Sequence, residues 1–263
     1  MQGPKICVVG LGTIGTPVLR YINERGFRVY GYDLVERSID GIETFVDWGS
    51  VPECDLYVIA VSSVAVEAVC RKIASRNRDS FVSIESTVKV GTCRRISENC
   101  RLTNIVHCPH RYWVEAPADH GVNQLRAIGG IDKESLKRGV NFYRSLGVPL
   151  HVCPSIEVAE MCKIAENAYR FVQIAFAEEL RRICQAKDID FDEVRKACNT
   201  KWNVEILKAK EGILGSCLTK DIGYLRLMAE EAPLIEGAIS TDKIYQRWIK
   251  SFMHACTKQV HQK

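Results

Sequence analysis

The sequence lacks any apolar run close to the roughly 18 residues that a membrane-spanning helix requires. Its longest strongly apolar run, Leu56–Val61, has only the length of a strand. A signal peptide is also missing, since the apolar run Ile6–Val9 leads directly into a glycine-rich turn without a small-residue cleavage site. We therefore expect a cytoplasmic protein that has no membrane partner.

Further absences disfavour other classes of protein. The net charge of +4 is mild, and no basic face with interleaved aromatic residues occurs, so nucleic acid is not an expected partner. The twelve cysteines include no CxxC pair, which argues against zinc and predicts no metal site. Their scattered positions are typical of buried thiols that pack as small apolar residues.

The first part of the chain alternates short β-rich runs with helical patterns. This alternation predicts an α/β Rossmann domain, a doubly wound parallel sheet with helices on both faces, which we place at residues 1–154. The predicted strands are Lys5–Val9, Arg28–Tyr32, Leu56–Val61, Phe81–Glu85, Asn104–His107, Arg126–Ile128 and Leu150–Val152.

Residues 155–263 are predicted to form an all-α domain. It begins with a helix from Ser155 to about Ala186 that contains neither glycine nor proline. This helix would be about 45 Å long. A single domain rarely buries such a helix alone, so we predict that it packs in a homodimer. The further predicted helices are Phe191–Asn199, Trp202–Leu207, Lys220–Glu230 and Ser240–Ala255.

A glycine-rich turn joins the first predicted strand to the first helix. The turn consists of Gly10, Leu11, Gly12, Thr13, Ile14 and Gly15. Gly10 allows a tight turn, Gly12 lets the backbone approach a pyrophosphate, and Gly15 lets helix and strand pack closely. The helix N-terminus then faces the anion, so the pattern predicts a dinucleotide site.

The cofactor is predicted to be NAD rather than NADP. Asp33 ends the second strand, where a carboxylate accepts hydrogen bonds from both ribose hydroxyls and repels a 2′-phosphate. The nearby Arg37 keeps the NADP alternative open. Val61 and Ser62, at the end of another predicted strand, complete the expected cofactor site.

Two groups of residues are candidates for the chemistry. Lys163 and Asn167 are four residues apart and share one helix face, from which they could meet a substrate hydroxyl and its developing oxyanion. A solvated polar face gives the same spacing. Cys217 lies among small residues, with Asp221 four positions later, and offers a thiol that could hold a substrate covalently. A cysteine in such a loop is also compatible with a purely structural role.

The motifs, taken in order, resemble those of the UDP-glucose/GDP-mannose dehydrogenase family, from about residue 5 to residue 230. The segments that carry the resemblance are the turn Gly10–Gly15, Glu85–Thr92, Cys108-Pro109, Ile128–Gly130, Ala159–Asn167 and Gly215–Asp221. Members of that family oxidise nucleotide sugars to uronic acids with two NAD.

The resemblance also implies roles for individual residues. Thr87 would close on the nicotinamide side and position water. Lys163 and Asn167 would stabilise the oxyanions of the intermediates. Asp221 would assist proton transfer, and Cys217 would be the nucleophile that turns an aldehyde into a thiohemiacetal and then a thioester.

The chain departs from the family pattern in two respects. Where the family has a glutamate that activates the hydrolytic water, this chain has His110, which is either a general base or a structural histidine; Glu115 is close by in sequence. Typical members also continue into a third domain that holds the nucleotide, whereas this sequence ends at Lys263. We therefore expect a smaller substrate, a pocket completed by a dimer partner, or a remnant of an enzyme.

The favoured prediction is an NAD-dependent dehydrogenase that oxidises a primary alcohol of a sugar or nucleotide-sugar-like substrate to a carboxylate. One alternative resembles the 6-phosphogluconate and β-hydroxyacid dehydrogenases, which transfer a single hydride and need no cysteine. Another is a non-enzymatic NAD-binding dimer. The segment from Gly215 to Cys217 favours the first. The sequence does not identify the substrate.

Overall fold

The N-terminal part of the chain is built on one sheet. The computed structural model describes residues 3–39 and 41–260. The strands are β1 (Ile6–Val9), β2 (Val29–Tyr32), β3 (Thr44–Phe45), β4 (Leu56–Ile59), β5 (Phe81–Ile84), β6 (Ile105–His107), β7 (Arg126–Gly130) and β8 (Leu150–Val152). Their order is β3-β2-β1-β4-β5-β6-β7-β8, and every neighbouring pair is parallel except β6 with β7. The predicted α/β Rossmann class is confirmed. Strand β3 was not predicted, and the predicted strands β6 and β7 pair antiparallel rather than parallel.

Helices cover both faces of this sheet. They are α1 (Gly15–Glu24), α2 (Val66–Arg76), α3 (Thr92–Cys100) and α4 (Lys133–Ser145). Alternate strand residues enter two separate apolar clusters: Cys7 and Val9 pack with α2 and α3, whereas Ile6 and Val8 pack with α1 and α4. Because both faces are buried there, the central strands β1 and β4 are apolar throughout, as the sequence pattern indicated.

The chain divides into two compact units, Met1–Lys163 and Ile164–Lys263. The division falls within α5 (Ile156–Ala186), the long helix that the sequence predicted at almost the same bounds. The domain boundary proposed at residue 154 stays a prediction. Within the described residues, none of the helices combines the length and hydropathy needed to cross a membrane.

The second unit is helical. It continues α5 and adds α6 (Phe191–Cys198), α7 (Ser216–Arg226) and α8 (Pro233–Val260). Its apolar core joins α5 to α7 and α8 through Phe171, Ala175, Ile222 and Ala238.

The predicted helix Trp202–Leu207 is wrong. Ile206 lies in an irregular segment instead, because the side-chain amide of Asn199 hydrogen-bonds both its N–H, at 2.7 Å, and its carbonyl, at 3.0 Å. Trp202 is 91% exposed, so no apolar face supports a helix there.

Candidate active site

The predicted cofactor residues lie together at the carboxyl edge of the sheet. Val9 is opposite Tyr32 on one side and Ile59 on the other, so the residues that follow these three strands are neighbours. The chain changes direction between β1 and β4, and dinucleotides bind at such a switch point in doubly wound sheets.

The glycine-rich turn is tightly constrained at two positions and open at a third. Gly10 has φ +92°, and a Cβ there would lie 2.6 Å from the carbonyl oxygen of Ala60. A Cβ on Gly15 would lie 1.6 Å from the carbonyl oxygen of Gly10. Gly12 is exposed and has no atom within 4 Å of its Cβ position, and Thr13 beside it is exposed too. The turn therefore needs glycine at its two ends for its own packing. At Gly12, by contrast, the space next to the backbone is open to solvent.

The side chain of Asp33 is tied to this turn. Its Oδ2 accepts a hydrogen bond from the N–H of Leu11 at 2.6 Å, and its Oδ1 accepts one from the N–H of Val35 at 3.1 Å. Ile14, which precedes α1, provides no side-chain cap for that helix. The half-buried Val61 is fixed through its carbonyl by the hydroxyl of Ser86 at 2.7 Å, and Ser62 is exposed.

A buried polar cluster lies further along the sheet, in the first unit. Glu85 follows β5, His110 follows β6, Arg126 begins β7, and Tyr143 is on α4. Glu85 Oε1 accepts hydrogen bonds from Arg126 Nη1 at 3.1 Å and from the Tyr143 hydroxyl at 2.5 Å, while its Oε2 contacts His110 Nε2. The hydroxyl of Ser83 lies 2.5 Å from that of Tyr143 and extends the network.

The electrostatics of this cluster follow from burial and from the Glu85–Arg126 pair. Burial alone would raise the pKa of Glu85, but His110 and Arg126 lower it to about 2. Burial lowers the pKa of His110, and Arg126 lowers it further. Near neutral pH the cluster thus holds a carboxylate, a guanidinium and an uncharged imidazole.

Two of the predicted catalytic residues of the first unit are in electrostatic contact. The ammonium group of Lys163, on α5, contributes to lowering the pKa of His110. It also lowers the pKa of the neighbouring His107, which burial has already brought to about 4. Glu115, the other candidate base, is exposed.

Thr87 lies in a loop whose far end is held by Glu160. Thr87 is half-buried between β5 and α3. The carboxyl group of Glu160, on α5, accepts hydrogen bonds from the N–H of Gly91 at 2.6 Å and of Cys93 at 2.8 Å. These contacts cap the N-terminus of α3 and fix the end of the loop.

The remaining candidates lie in the second unit. Asn167 Nδ2 donates a hydrogen bond of 2.5 Å to Asp221 Oδ2, which joins α5 to α7. Asp221 is buried, and Lys220 Nζ lies 2.7 Å from its other oxygen. Cys217 is on the first turn of α7 and is the exposed one among the cysteines that the structure describes. A thiol that reacts with a substrate must be accessible in this way.

Sequence reasoning missed the partners of His110. Glu85 stood in a recognised motif without an assigned role, Arg126 was interpreted only as part of a strand, and Tyr143 was not singled out. An arginine inside an otherwise apolar strand was the available signal, because such a charge is buried only with a partner.

Comparison with known proteins confirms the resemblance seen in the sequence. Residues 157–243 match the sequence profile described as UDP-glucose/GDP-mannose dehydrogenase family, central domain. The UDP-N-acetyl-D-mannosamine dehydrogenase of Methanococcus maripaludis is 27% identical over 272 residues, which cover 89% of this chain. The chain spans 64% of the length of that relative.

Solved structures share the fold. The UDP-D-ManNAc dehydrogenase of Pyrococcus horikoshii has a TM-score of 0.87 at 23% identity, covering 98% of this chain and 72% of that one. The 3-hydroxyisobutyrate dehydrogenase of Mycobacterium tuberculosis has a TM-score of 0.75 at 16% identity and covers 93% of both chains. At these identities the likeness concerns the fold alone.

Proposed function

We propose that this chain is an NAD-dependent dehydrogenase of a sugar or nucleotide sugar, because residues 157–243 match the central-domain profile of the UDP-glucose/GDP-mannose dehydrogenase family. The observation that carries the proposal is that the matched range, 157–243, includes Lys163, Asn167, Cys217 and Asp221. The name of the relative with 27% identity makes UDP-N-acetyl-D-mannosamine the first substrate to test.

NAD would be held at the carboxyl edge of β1, β2 and β4. The open space beside Gly12 suits a pyrophosphate, and the carboxylate of Asp33 suits the adenosine ribose and disfavours a 2′-phosphate. Bound there, NAD supplies the hydride acceptor for each of two successive oxidations.

The chain's own residues would perform the acid–base and covalent steps. The Cys217 thiol adds to the aldehyde carbon, since an aldehyde has no second hydride to give until a nucleophile adds to it. Lys163 and Asn167 stabilise the oxyanions of these adducts, and Asp221 orients Asn167 and assists proton transfer. Water then hydrolyses the thioester, with Thr87 positioning it and His110 accepting its proton. The C–S bond breaks and Cys217 leaves as a thiolate.

A single substitution tests the cofactor site separately from folding. Gly12→Ala adds a methyl group to open space, so stability should be unchanged while the affinity for NAD falls at least tenfold. Gly237→Ala, also without an atom within 4 Å of its Cβ position, is the control and should leave the affinity unchanged. Calorimetric titration with NAD measures the affinity of the unmodified chain and of both variants. The same titration with NADP tests Asp33, since NADP binding as tight as NAD binding would contradict its role.

Product analysis tests the chemistry. With UDP-N-acetyl-D-mannosamine or a related nucleotide sugar, the unmodified chain should form two NADH and one carboxylate per substrate. Cys217→Ser should form no carboxylate but still bind NAD, and Lys163→Ala should slow both oxidations. Carboxylate formation by Cys217→Ala at the normal rate would instead favour the single-hydride alternative, which the shared fold alone does not distinguish.

We also propose a homodimer through α5. Tyr169, Phe176 and Ile183 are seven residues apart and are 66%, 56% and 53% exposed, so they form an apolar stripe along the helix. Such stripes are typical of helix–helix interfaces. Light scattering at tens of micromolar should give twice the monomer mass, and Phe176→Glu should give the monomer.

A further inference from the structure

The segment that leads to Cys217, residues 206–215, forms neither helix nor strand. It lies within the second unit, and Ile213 in its later part is buried in the apolar core of that unit. The backbone polar groups of such a segment have no ladder of their own and depend on side chains for hydrogen bonds. The side chains that provide them therefore determine the conformation of the segment.

Two side chains hold the first part of this segment. Arg181 Nη1, on α5, lies within hydrogen-bond distance of the carbonyl oxygens of Ala209, at 3.0 Å, and Lys210, at 3.3 Å. It also lies 2.8 Å from the hydroxyl oxygen of Tyr245, on α8. That hydroxyl donates a hydrogen bond to the carbonyl of Lys210 at 2.7 Å. The segment is thereby attached to both α5 and α8.

Asp242, also on α8, holds the part of the segment that is nearest to the thiol. Its Oδ1 accepts a hydrogen bond from the N–H of Ile213 at 2.9 Å, and its Oδ2 accepts one from Gln246 Nε2 at 2.9 Å. An added Cβ at Gly212 would lie 2.5 Å from Gln246 Cγ, so the segment packs closely on the Gln246 side chain. Asp242 is buried, and without it the N–H of Ile213 would lack an acceptor.

Cys217 lies midway between two anchored positions. Ile213, four residues before it, is held by Asp242 of α8. Asp221, four residues after it, accepts a hydrogen bond of 2.5 Å from Asn167 of α5. The thiol itself is exposed, so its position depends on the backbone that carries it rather than on packing around the sulfur. Fixing that backbone at both ends to two helices places the thiol precisely.

We propose that Asp242 is a positioning residue that fixes Cys217 through the N–H of Ile213. The part that concerns turnover rests on the proposed function. There the Cys217 sulfur bonds to the aldehyde carbon, the thiol proton passes to the aldehyde oxygen, and the thiohemiacetal then gives its hydride to NAD. The first oxidation takes a hydride from the alcohol without the thiol. A displaced thiol therefore slows the second oxidation and leaves the first unchanged.

A nitroxide attached to Cys217 through a methanethiosulfonate tests the positioning without any substrate. Cys217→Ser, treated in the same way, gives the signal to subtract for any other thiol. In Asp242→Ala the N–H of Ile213 loses its acceptor, so the segment should become more mobile and the lines of the spectrum should narrow. Asp242→Asn keeps an oxygen for Ile213, and the amide of Gln246 turns its own oxygen to the new NH₂ group. Its spectrum should match that of the unmodified chain.

Asn199→Ala is the matched control for the label experiment. It removes the two hydrogen bonds that hold Ile206, at the far end of the same segment, and the contacts of Arg181 and Tyr245 lie between that end and the label. Its spectrum should be unchanged. Gln246→Ala, which removes only the donor to Asp242 Oδ2, should narrow the lines less than Asp242→Ala and replaces that variant if it does not fold.

Unchanged lines in Asp242→Ala and Gln246→Ala would overturn the inference. Equal narrowing in Asn199→Ala would also overturn it, because the effect would then be a general loosening of the segment.

Rapid mixing with NAD and UDP-N-acetyl-D-mannosamine tests the part that concerns turnover. In Asp242→Ala the first NADH should form at the rate of the unmodified chain and the second about 10-fold more slowly, since a small misplacement of a reacting group is costly. Asp242→Asn should restore the second rate. Equal slowing of both oxidations, or slowing of neither, would overturn this part. If the unmodified chain forms no NADH with any nucleotide sugar, the proposed function fails, whereas the label spectra still decide whether Asp242 fixes Cys217.

Discussion

Two buried glutamates, one in each unit, differ in how the fold accommodates a carboxyl group away from water. Glu85 accepts hydrogen bonds from Arg126 and Tyr143 and contacts His110, and its pKa is lowered to about 2. Glu178, on α5, has no hydrogen-bond partner among the described residues, and burial together with the nearby Asp242 raises its pKa to about 8. Burial acts in the same direction on both. The difference shows that the surrounding donors and charges decide whether a buried carboxyl group is ionised.

The surroundings of Glu178 explain its lack of donors. Asp242 itself accepts hydrogen bonds from the N–H of Ile213 at 2.9 Å and from Gln246 Nε2 at 2.9 Å, so it offers Glu178 no donor. The hydroxyl of Tyr245 donates to the carbonyl of Lys210 at 2.7 Å instead. An uncharged, protonated Glu178 is therefore the stable form near neutral pH.

The largest expected effect comes from removing the ionised member of this pair of glutamates. Glu85→Ala leaves the guanidinium of Arg126 buried without its carboxylate, and we expect a loss of about 3–5 kcal/mol in the free energy of unfolding. Urea denaturation at pH 7 measures it. Glu157→Ala is the control, since its ion pair with Arg94 is partly exposed and should contribute less than about 1 kcal/mol. Equal losses would remove the distinction between buried and exposed pairs.

The second largest effect is a gain of stability, expected for Glu178→Gln, and it depends on pH. The folded pKa of Glu178 lies above its unfolded value, so the folded chain binds more protons, and stability falls as the pH rises from about 4.5 to about 8. Glu178→Gln cannot ionise. At pH 9 it should be more stable than the unmodified chain by roughly 1–3 kcal/mol, with little gain at pH 5. Denaturation at both pH values measures it, and a loss of stability at pH 9 would contradict the assignment.

A smaller loss of stability is expected when one of the two established donors to Glu85 is removed. Tyr143→Phe deletes the hydroxyl that donates at 2.5 Å but leaves His110 and Arg126 in place. We expect a loss of about 1.5 kcal/mol, at the low end for a hydrogen bond to a charged group. Ser83→Ala, which removes only the outer hydroxyl, is the matched control and should cost less.

The smallest effect concerns the neighbour of Glu178. Asp242→Asn removes the negative charge that helps to raise the pKa of Glu178, so the alkaline loss of stability should shrink by less than about 1 kcal/mol. Comparing the pH 5 and pH 9 stabilities of this variant with those of the unmodified chain measures it. A larger alkaline loss would show that Asp242 does not repel Glu178.

The pattern of the sequence predicted most of the sheet and α5, because continuous apolar runs and helical spacing are local signals. It missed β3, which has two residues, and it placed the start of α8 at Ser240, although Pro233 at the first helical position was the available signal. The turn Gly10–Gly15 was local and was recognised.

The cluster around Glu85 was not recognised from the sequence. Its contacts with Arg126 and Tyr143 join residues that are 41 and 58 positions apart along the chain. Local spacing carries no information about such pairs. They become neighbours only when β5, β7 and α4 assemble.

Glu160 has a consequence for where negatively charged molecules can bind. Its carboxyl group occupies the N-terminus of α3, which a phosphate could otherwise approach, while Ile14 leaves the N-terminus of α1 without a side-chain cap. The N-terminus of α3 is thus occupied by a carboxyl group of the protein itself, whereas the N-terminus of α1 remains available to an anionic ligand. Sulfate or phosphate in a buffer should therefore compete with the NAD that we propose to bind at α1, while the end of the Thr87 loop stays insensitive to the choice of salt.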